Sequence, residues 1–112
     1  MLESLSPLVQ DMSFSTTSRS IKLSGSTTLL AECKKTDGTW VPSSLNLDTG
    51  IGNTEGSFDT SSKDYSLSAN NVKLTGTTLS ANLKTTGGSF MAASIDLDTV
   101  VANLEGVLTF QE

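Results

Sequence analysis

A ten-residue frame that occurs twice constrains this chain more than any other feature of its sequence. The frame reads LDTGIGNTEG at residues 47–56 and LDTVVANLEG at residues 97–106, a spacing of 50 residues. Leu-Asp-Thr opens both copies, Asn stands at the seventh position and Glu-Gly closes the frame. Recurrence of these positions at one spacing indicates that the chain contains two copies of one structural unit.

The duplication extends well beyond the frame. Alignment of Phe14 with Tyr65 predicts repeat one over residues 14–60 and repeat two over residues 65–110. Within each repeat, apolar and polar residues alternate with a period of two, which is typical of strands that bury one face. The inward faces are predicted to carry Leu29, Ala31 and Cys33 in repeat one, and Leu79, Ala81 and Leu83 in repeat two.

Turn chemistry marks the ends of the predicted strands. The dipeptides at residues 37–38 and 87–88, Asp-Gly and Gly-Gly, are typical of tight hairpin turns that need positive φ. Pro42 has no amide hydrogen and is therefore predicted to lie on an edge strand or at a strand end. Short helical or 3₁₀ turns are expected at residues 14–19 and 65–70, where cap-forming residues are frequent.

Several single residues receive a structural interpretation from the same pattern. Asp48 and Asp98 are expected to cap a 3₁₀ turn that opens each frame. Trp40 and Phe90 are expected to be core aromatics, and Cys33 a small buried hydrophobic residue. A Ser- and Thr-rich composition favours strands and turns over long helices, so the predicted fold class is all-β.

The residue types that are missing exclude several classes of function. The chain has no histidine, which removes Ser-His-Asp catalysis, Cys-His catalysis and every histidine-based metal site. Its single cysteine forms neither an intramolecular disulfide nor a zinc cluster of cysteines. The net charge of −5 lacks the basic footprint of a nucleic-acid or anionic-membrane binder. We therefore expect no metal, no cofactor, no nucleic-acid partner and no membrane insertion.

The N-terminal stretch MLESLSPLVQD is predicted to be a flexible extension over residues 1–11, although its leucines could alternatively dock on the core. Its apolar run is short and begins beside Glu3, where a signal peptide would carry positive charge. Together with the unpaired cysteine, this predicts a cytoplasmic location, and secretion by a non-standard route stays open. The remaining residues, 12–112, are predicted to form a single domain.

Four stretches, taken with the doubled frame, carry a resemblance to a known family. They are AECKKTDG at residues 31–38, the aromatic Trp40 after the turn, SSLNLD at residues 43–48 and ANLEGVLTFQE at residues 102–112. These residues resemble the cyanovirin-N homology family, whose members are small lectins built of two sequence repeats. The resemblance covers residues 14–111.

The resemblance implies an all-β, pseudo-two-fold fold in which the two tandem repeats exchange strands. Each half would hold a three-stranded sheet and a β-hairpin, joined by short 3₁₀ turns. Half A would combine residues 12–49 with residues 100–112, and half B would comprise residues 50–99. The family's better-known cysteine pairs are replaced here, which makes the chain similar to cysteine-poor fungal members; the substituted pairs are Ser18 with Cys33 and Ala69 with Leu83.

The resemblance also implies binding to mannose-rich glycans, especially terminal α1,2-linked mannose, with one potential site in each half and no catalysis. A mannose pocket must present donors and acceptors to vicinal hydroxyls. Carried over position by position, the half A site consists of Met12, Ser13, Thr16, Thr17, Lys34, Lys35, Thr36, Asp37, Asn103, Leu104 and Glu105. The half B site consists of Asn53, Thr54, Glu55, Lys63, Asp64, Ser68, Lys84, Thr85 and Thr86.

Half A is predicted to hold the principal site, because half B has weaker side-chain chemistry. Gly52 stands where the family can carry an acidic residue, and Leu67 replaces a polar residue. The glycines at residues 87–88 also replace longer side chains. The half A site in turn has Ser13 and Lys34 where the family carries residues of different charge or reach.

Alternatives stay open from the sequence alone. Asn53 and Asn103 could serve only as turn residues, and the chain could be a β-rich interaction or structural module whose sugar sites have decayed. Hydrolysis of a glycoside by Glu55 and Glu105 would need both carboxylates about 5–10 Å apart in one cleft. Pseudo-symmetry places them in opposite halves, so we predict no enzyme activity. The polar, proline-free linker at residues 59–64 predicts mainly a monomer, with a domain-swapped dimer as the alternative.

Overall fold

The structure, a computed structural model, describes residues 13–111 as an all-β protein, which confirms the predicted fold class. Its strands are β1 Ser18–Ser24, β2 Thr28–Lys34, β3 Trp40–Asn46, β4 Gly52–Thr54, β5 Ser57–Asp59, β6 Ala69–Thr75, β7 Thr78–Lys84, β8 Phe90–Asp96, β9 Val101–Leu104 and β10 Val107–Phe110. The predicted N-terminal extension and Met12 lie outside the described residues.

The strands form two three-stranded sheets and two short hairpins. The sheets are antiparallel with the orders β1-β2-β3 and β6-β7-β8, and the hairpins are β4–β5 and β9–β10. Each hairpin packs on the sheet of the other repeat: β10 lies against β3, and β5 lies against β8. The backbone N–H of Leu108 donates to Ser43 Oγ at 2.9 Å across the first of these contacts. The repeats therefore exchange strands, as the resemblance implied.

The alternating pattern of the central strands sets which face of each sheet is buried. Leu29 and Cys33 are fully buried and Ala31 is 5% exposed, while the residues between them point outward. Leu79, Ala81 and Leu83 repeat this arrangement in the second sheet. Both predictions of inward residues are confirmed. Pro42 lies on β3, an edge strand, where no neighbour needs the amide hydrogen that it lacks.

The hairpin tips have the predicted turn chemistry. Gly38 N–H donates to the Lys35 carbonyl at 2.9 Å, and Lys35 N–H donates to the Thr39 carbonyl at 2.8 Å. The loop of residues 36–38 thus closes with Gly38 at φ 90°, which a glycine adopts without strain. Gly88 takes the same place in the second sheet with φ 95°.

Short 3₁₀ turns precede the first strand of each sheet and open each frame, at Phe14–Thr17, Tyr65–Ser68, Leu47–Thr49 and Leu97–Thr99. The prediction that Asp48 and Asp98 cap their own turns is wrong. Asn46 and Asp96 provide those caps, by accepting the backbone N–H groups of residues 48 and 98. Asn46 and Asp96 stand directly before each turn, where a side chain can reach the free N–H groups, whereas Asp48 and Asp98 lie inside the turn.

Asp48 and Asp98 instead bind the 3₁₀ turn of the other repeat. Asp98 accepts from the Ser15 backbone N–H at 3.0 Å and from the Ser15 hydroxyl at 2.6 Å. Asp48 accepts in the same way from Ser66, with the backbone N–H at 3.0 Å. These reciprocal bonds join the repeats at two related places.

The aromatic core differs from the prediction. Phe14 and Tyr65 are fully buried at the centre of one hydrophobic cluster that both repeats share. Phe90 is 49% exposed, and Trp40 lies half-buried beneath Arg19, so the prediction of core aromatics at these positions is wrong. Trp40 and Phe90 each begin an edge strand, paired with Lys34 and Lys84. The alternation of apolar and polar residues does not show whether the outer face of such a strand is covered by other parts of the protein. Burial raises the pKa of the Tyr65 hydroxyl, and the nearby Asp48 charge adds to this effect.

The molecule is elongated, with principal extents of 49 × 30 × 18 Å. None of the helical turns between residues 13 and 111 has the length and apolarity needed to cross a membrane.

Candidate carbohydrate-binding clefts

Each frame ends in a two-residue hairpin turn that holds a glutamate in an unusual backbone conformation. Glu105 has φ 49° and Gly106 has φ 87°, both in the left-handed region that a type I′ turn requires. Glycine, asparagine and aspartate are the usual residues at such a position, because longer side chains are strained there. At Gly106 a β-carbon would also lie 2.5 Å from Val41 Cγ2. The frame thus keeps glutamate where the turn itself favours another residue.

The carboxylate of Glu105 binds the hairpin tip of the first sheet. The Thr36 backbone N–H donates a forked hydrogen bond to Oε1 at 3.4 Å and Oε2 at 3.2 Å, and the Thr36 hydroxyl donates to Oε2. This contact, rather than the turn, gives the glutamate a role.

Asn103 is buried, with 3% of its surface exposed, and hydrogen-bonds to the first sheet. Its Nδ2 group donates to Thr17 Oγ1 at 2.8 Å and to the Lys34 carbonyl at 2.9 Å. Its Oδ1 accepts the Gly106 N–H at 2.8 Å. The amide is therefore engaged by protein groups on both sides and positions the residues around it.

These contacts create a cleft of about 200 Å³ that we name site A, lined by Thr17, Lys34, Lys35, Thr36, Asn103 and Glu105. The Lys34 ammonium lies 5.5 Å from the centre of the Trp40 ring, on which the Arg19 guanidinium also stacks at 4.0 Å. All lining residues of site A were predicted for the half A site.

The first frame builds a matching cleft, site B, of about 450 Å³, lined by Asn53, Thr54, Glu55, Leu67, Ser68, Lys84, Thr85 and Thr86. Glu55 accepts from the Thr86 N–H at 3.4 and 3.3 Å and from the Thr86 hydroxyl. Asn53 donates to Ser68 Oγ at 2.7 Å and to the Lys84 carbonyl at 2.8 Å. The two clefts therefore share one polar plan.

That plan fixes the direction of the hydroxyl groups. In site A, Asn103 donates to Thr17 Oγ1, which leaves the Thr17 hydroxyl hydrogen free to donate to a ligand. Oε1 of Glu105 receives only the longer branch of the forked bond and can accept a further hydrogen. Ser68 and Glu55 repeat the arrangement in site B. A donor and an anionic acceptor in the lining of one cleft can together bind a pair of neighbouring hydroxyls.

Of the described residues that were predicted for half A, four lie outside the lining of site A. The Ser13 carbonyl accepts from the backbone and hydroxyl of Thr16, which is exposed. Asp37 accepts the Thr39 N–H at 2.9 Å within the hairpin tip, and this bond holds the pKa of the Asp37 carboxyl below its usual value. Leu104 is 52% exposed on the hairpin.

Two residues predicted for half B lie away from site B. Lys63 lines a separate cleft beside Thr49 and Gly50. Asp64 takes φ 67° and donates its N–H to the Asp48 carbonyl at 2.8 Å. Both belong to the segment between the repeats, which the resemblance alone placed at the site.

Gly52, which stands where the family can carry an acidic residue, is tightly enclosed in this structure. A β-carbon there would lie 2.5 Å from Ser62 Cβ and 2.7 Å from the Lys63 nitrogen. Gly52 is buried, and the position has no room for a side chain. An acidic side chain at this position would therefore require Ser62 and Lys63 to move.

Sequence reasoning missed how the whole frame serves one cleft. For site A, Asp98 holds the 3₁₀ turn that leads into Thr17, Asn103 holds the end of β2, and Glu105 holds the hairpin tip. The repeat alignment did contain a signal, since Ser15 and Ser66 occupy matching positions and both bind the aspartates. Within residues 13–111 no cluster of His, Cys, Asp and Glu side chains is arranged to hold a metal ion.

The fold and the paired clefts define a class of small, two-repeat, all-β proteins. The model of the CVNH domain matches residues 14–109, and the chain belongs to this cyanovirin-N homology family, whose members are carbohydrate-binding lectins and not enzymes. A cyanovirin-N homolog of Tuber borchii is 44% identical over 64 residues, a stretch that covers 56% of this chain and 62% of that relative.

Solved structures agree with this membership. The NMR structure of the CVNH protein of Gibberella zeae has a TM-score of 0.83 at 33% identity, covering 90% of this chain and 99% of that one. A complex of microvirin with mannobiose has a TM-score of 0.77 at 28% identity, covering 88% of this chain and 97% of that one.

Proposed function

We propose that this protein is a lectin that binds mannose-rich glycans, especially those ending in α1,2-linked mannose, and that site A is its principal site. The observation that carries the proposal is the cleft built around the Glu105–Thr36 pair. The similarity to microvirin, which was solved with mannobiose, supports the class of ligand.

The chemistry of site A suits a terminal mannose. One sugar hydroxyl can donate to Glu105 Oε1 while its neighbour accepts from the Thr17 hydroxyl, as vicinal hydroxyls allow. The ammonium groups of Lys34 and Lys35 supply further donors at the rim. None of these groups has to break a strong hydrogen bond within the protein to bind the sugar, so the cleft is preorganised for its ligand.

Site A is favoured over site B for two reasons. Its volume of about 200 Å³ is the smaller, so a single terminal residue contacts more of its walls. Its asparagine is buried and bonded to three segments, which keeps the cleft rigid, while Asn53 is half-buried. One shallow polar site of this kind binds on the order of micromolar to millimolar, roughly −8 to −4 kcal/mol.

The test is an amide NMR titration with α1,2-dimannose on the wild type and on Glu105→Asn. Asparagine tolerates the left-handed turn, so the variant removes the long carboxylate and its bonds to Thr36 without straining the backbone at residue 105. We expect shifts at Thr17 and at residues 34–36 in the wild type, and affinity at least tenfold weaker in Glu105→Asn.

Glu55→Asn is the matched control, because it makes the same change in the other frame. It should leave the titration of site A unaltered. Shifts confined to Leu67 and residues 84–86, or no shifts at all, would contradict the proposal. Long incubation should also leave the α-mannoside intact.

A further inference from the structure

Leu67 is the most exposed of the large hydrophobic side chains in the described part of the chain, at 83%. It lines site B, where its neighbours are otherwise polar. Because Leu67 is exposed and lines site B, it presents apolar surface to a ligand bound there.

Site A has no counterpart to this side chain. Thr16 occupies the matching position of the repeat, and its hydroxyl donates to the Ser13 carbonyl at 2.9 Å rather than toward the cleft. Site A is instead narrowed by Lys35, whose Cγ would lie 3.1 Å from a β-carbon at Gly106. Thr85 takes the place of Lys35 in site B and is shorter.

The two clefts thus share donors and acceptors but differ in size and in one wall. Site B has about 450 Å³ where site A has about 200 Å³, and the apolar side chain of Leu67 lines it together with Glu55. A larger sugar with an apolar group next to its hydroxyls fits that difference.

On the basis of the proposed lectin function, we infer that Leu67 makes site B selective for a hexose that carries a methyl group, either as a 6-deoxy sugar or as an acetamido sugar. The methyl group packs on Leu67, while the hydroxyls bind Glu55 and the Ser68 hydroxyl. Both kinds of sugar present this chemistry, and separate titrations distinguish them.

Burial of one methyl group against leucine corresponds to about fourfold in affinity. The wild-type site B should therefore bind L-fucose roughly fourfold tighter than L-galactose, or N-acetylglucosamine roughly fourfold tighter than glucose, as measured by amide shifts at Leu67 and Thr86. Site A, followed at Thr17 and Thr36, should show no such preference.

Reciprocal exchange of the two matching residues tests the role of Leu67 directly. Leu67→Thr should abolish the preference of site B, and Thr16→Leu should introduce one at site A. Val107→Thr removes another exposed apolar side chain, 57% exposed and outside both clefts, and should change neither site.

The outcomes separate this inference from the proposed function. If site A binds dimannose but site B prefers neither methyl-bearing sugar over its matched sugar, or if Leu67→Thr keeps the preference, the role of Leu67 is refuted and the lectin function stands. If no sugar shifts an amide of either cleft, both fail. If only one of the two methyl-bearing sugars is preferred, the inference holds and the ligand is that sugar.

Discussion

Asn103 is a buried polar side chain whose every hydrogen-bonding group is engaged. It joins the frame hairpin to the 3₁₀ turn at Thr17 and to the end of β2 at Lys34, three segments distant in sequence. A buried amide used in this way is costly to remove, because its partners cannot all reach water. Asn103, which in the sequence could be only a turn residue, therefore holds together the segments that form site A.

Asn103→Ala should lower the free energy of unfolding by roughly 2–4 kcal/mol, since Gly106 N–H, the Lys34 carbonyl and Thr17 lose their partner. Chemical denaturation measures the loss. Asn53→Ala is the matched variant and should lose less, because Asn53 is half-buried and its hydrogen bonds to Lys84 and Gly56 are more exposed than those of Asn103 to Lys34 and Gly106. Equal losses in the two variants would show that burial of Asn103 contributes nothing.

At the scale of elements, the sequence predicted each strand face more reliably than it predicted partners. Leu29, Ala31 and Cys33 were identified as inward because alternation is a local property of a strand. Phe90 was misassigned because the same alternation cannot show whether the opposite face is covered. The partners of Asp48 lie in the other repeat, and no local pattern reveals a contact of that kind.

The candidate clefts divide in the same way. Glu105 and Thr36 were both predicted, since the repeats and the resemblance placed them, but the bond between them depends on how the hairpin packs on the first sheet. Lys63 was predicted from the resemblance and lines a different cleft, because the segment between the repeats folds back against Thr49. Leu67 was interpreted as a lost polar contact and proved to be a wall of site B.

The pairing of β1 with β2 gives a prediction at this scale. Ser18 lies directly opposite Cys33, with Ser18 Oγ 3.5 Å from Cys33 Sγ. Ser18→Cys should therefore form a disulfide that closes a loop of about 15 residues and stabilises by about 3 kcal/mol, which raises Tm by roughly 10 °C or more.

Thermal unfolding with and without reductant measures this gain, and a thiol assay should find no free cysteine in the oxidised variant. Ala69→Cys serves as control, since Ala69 faces Leu83 and gains no thiol partner. A variant that keeps two free thiols under oxidising conditions would show that the side chains of residues 18 and 33 do not meet at bonding geometry.

At the scale of the whole molecule, one hydrophobic cluster unites the repeats. Leu29 of the first sheet and Leu79 of the second belong to it, together with Phe14, Tyr65 and Leu108. The reciprocal bonds of Asp48 and Asp98 add polar contacts between the repeats at two places. We therefore expect the two sheets to unfold in a single cooperative transition.

Trp40 is the only tryptophan of the chain and reports on the first sheet. Leu79→Ala opens a cavity in the second sheet and should destabilise the protein by roughly 2–5 kcal/mol. The fluorescence midpoint of Trp40 should fall with that of far-UV circular dichroism. An unchanged Trp40 midpoint would mean that the sheets unfold independently.

The crosswise placement of the frames also bears on the origin of the chain. The glutamate of each frame completes a cleft whose strand end and hairpin tip belong to the other repeat. A single 50-residue ancestor would thus have owned no complete cleft, but two identical copies joined by a two-fold axis would have formed both at once. Fusion of the two copies would then have freed the clefts to diverge, and a substitution in either frame would alter the ligand range of the cleft that the strands of the other repeat line.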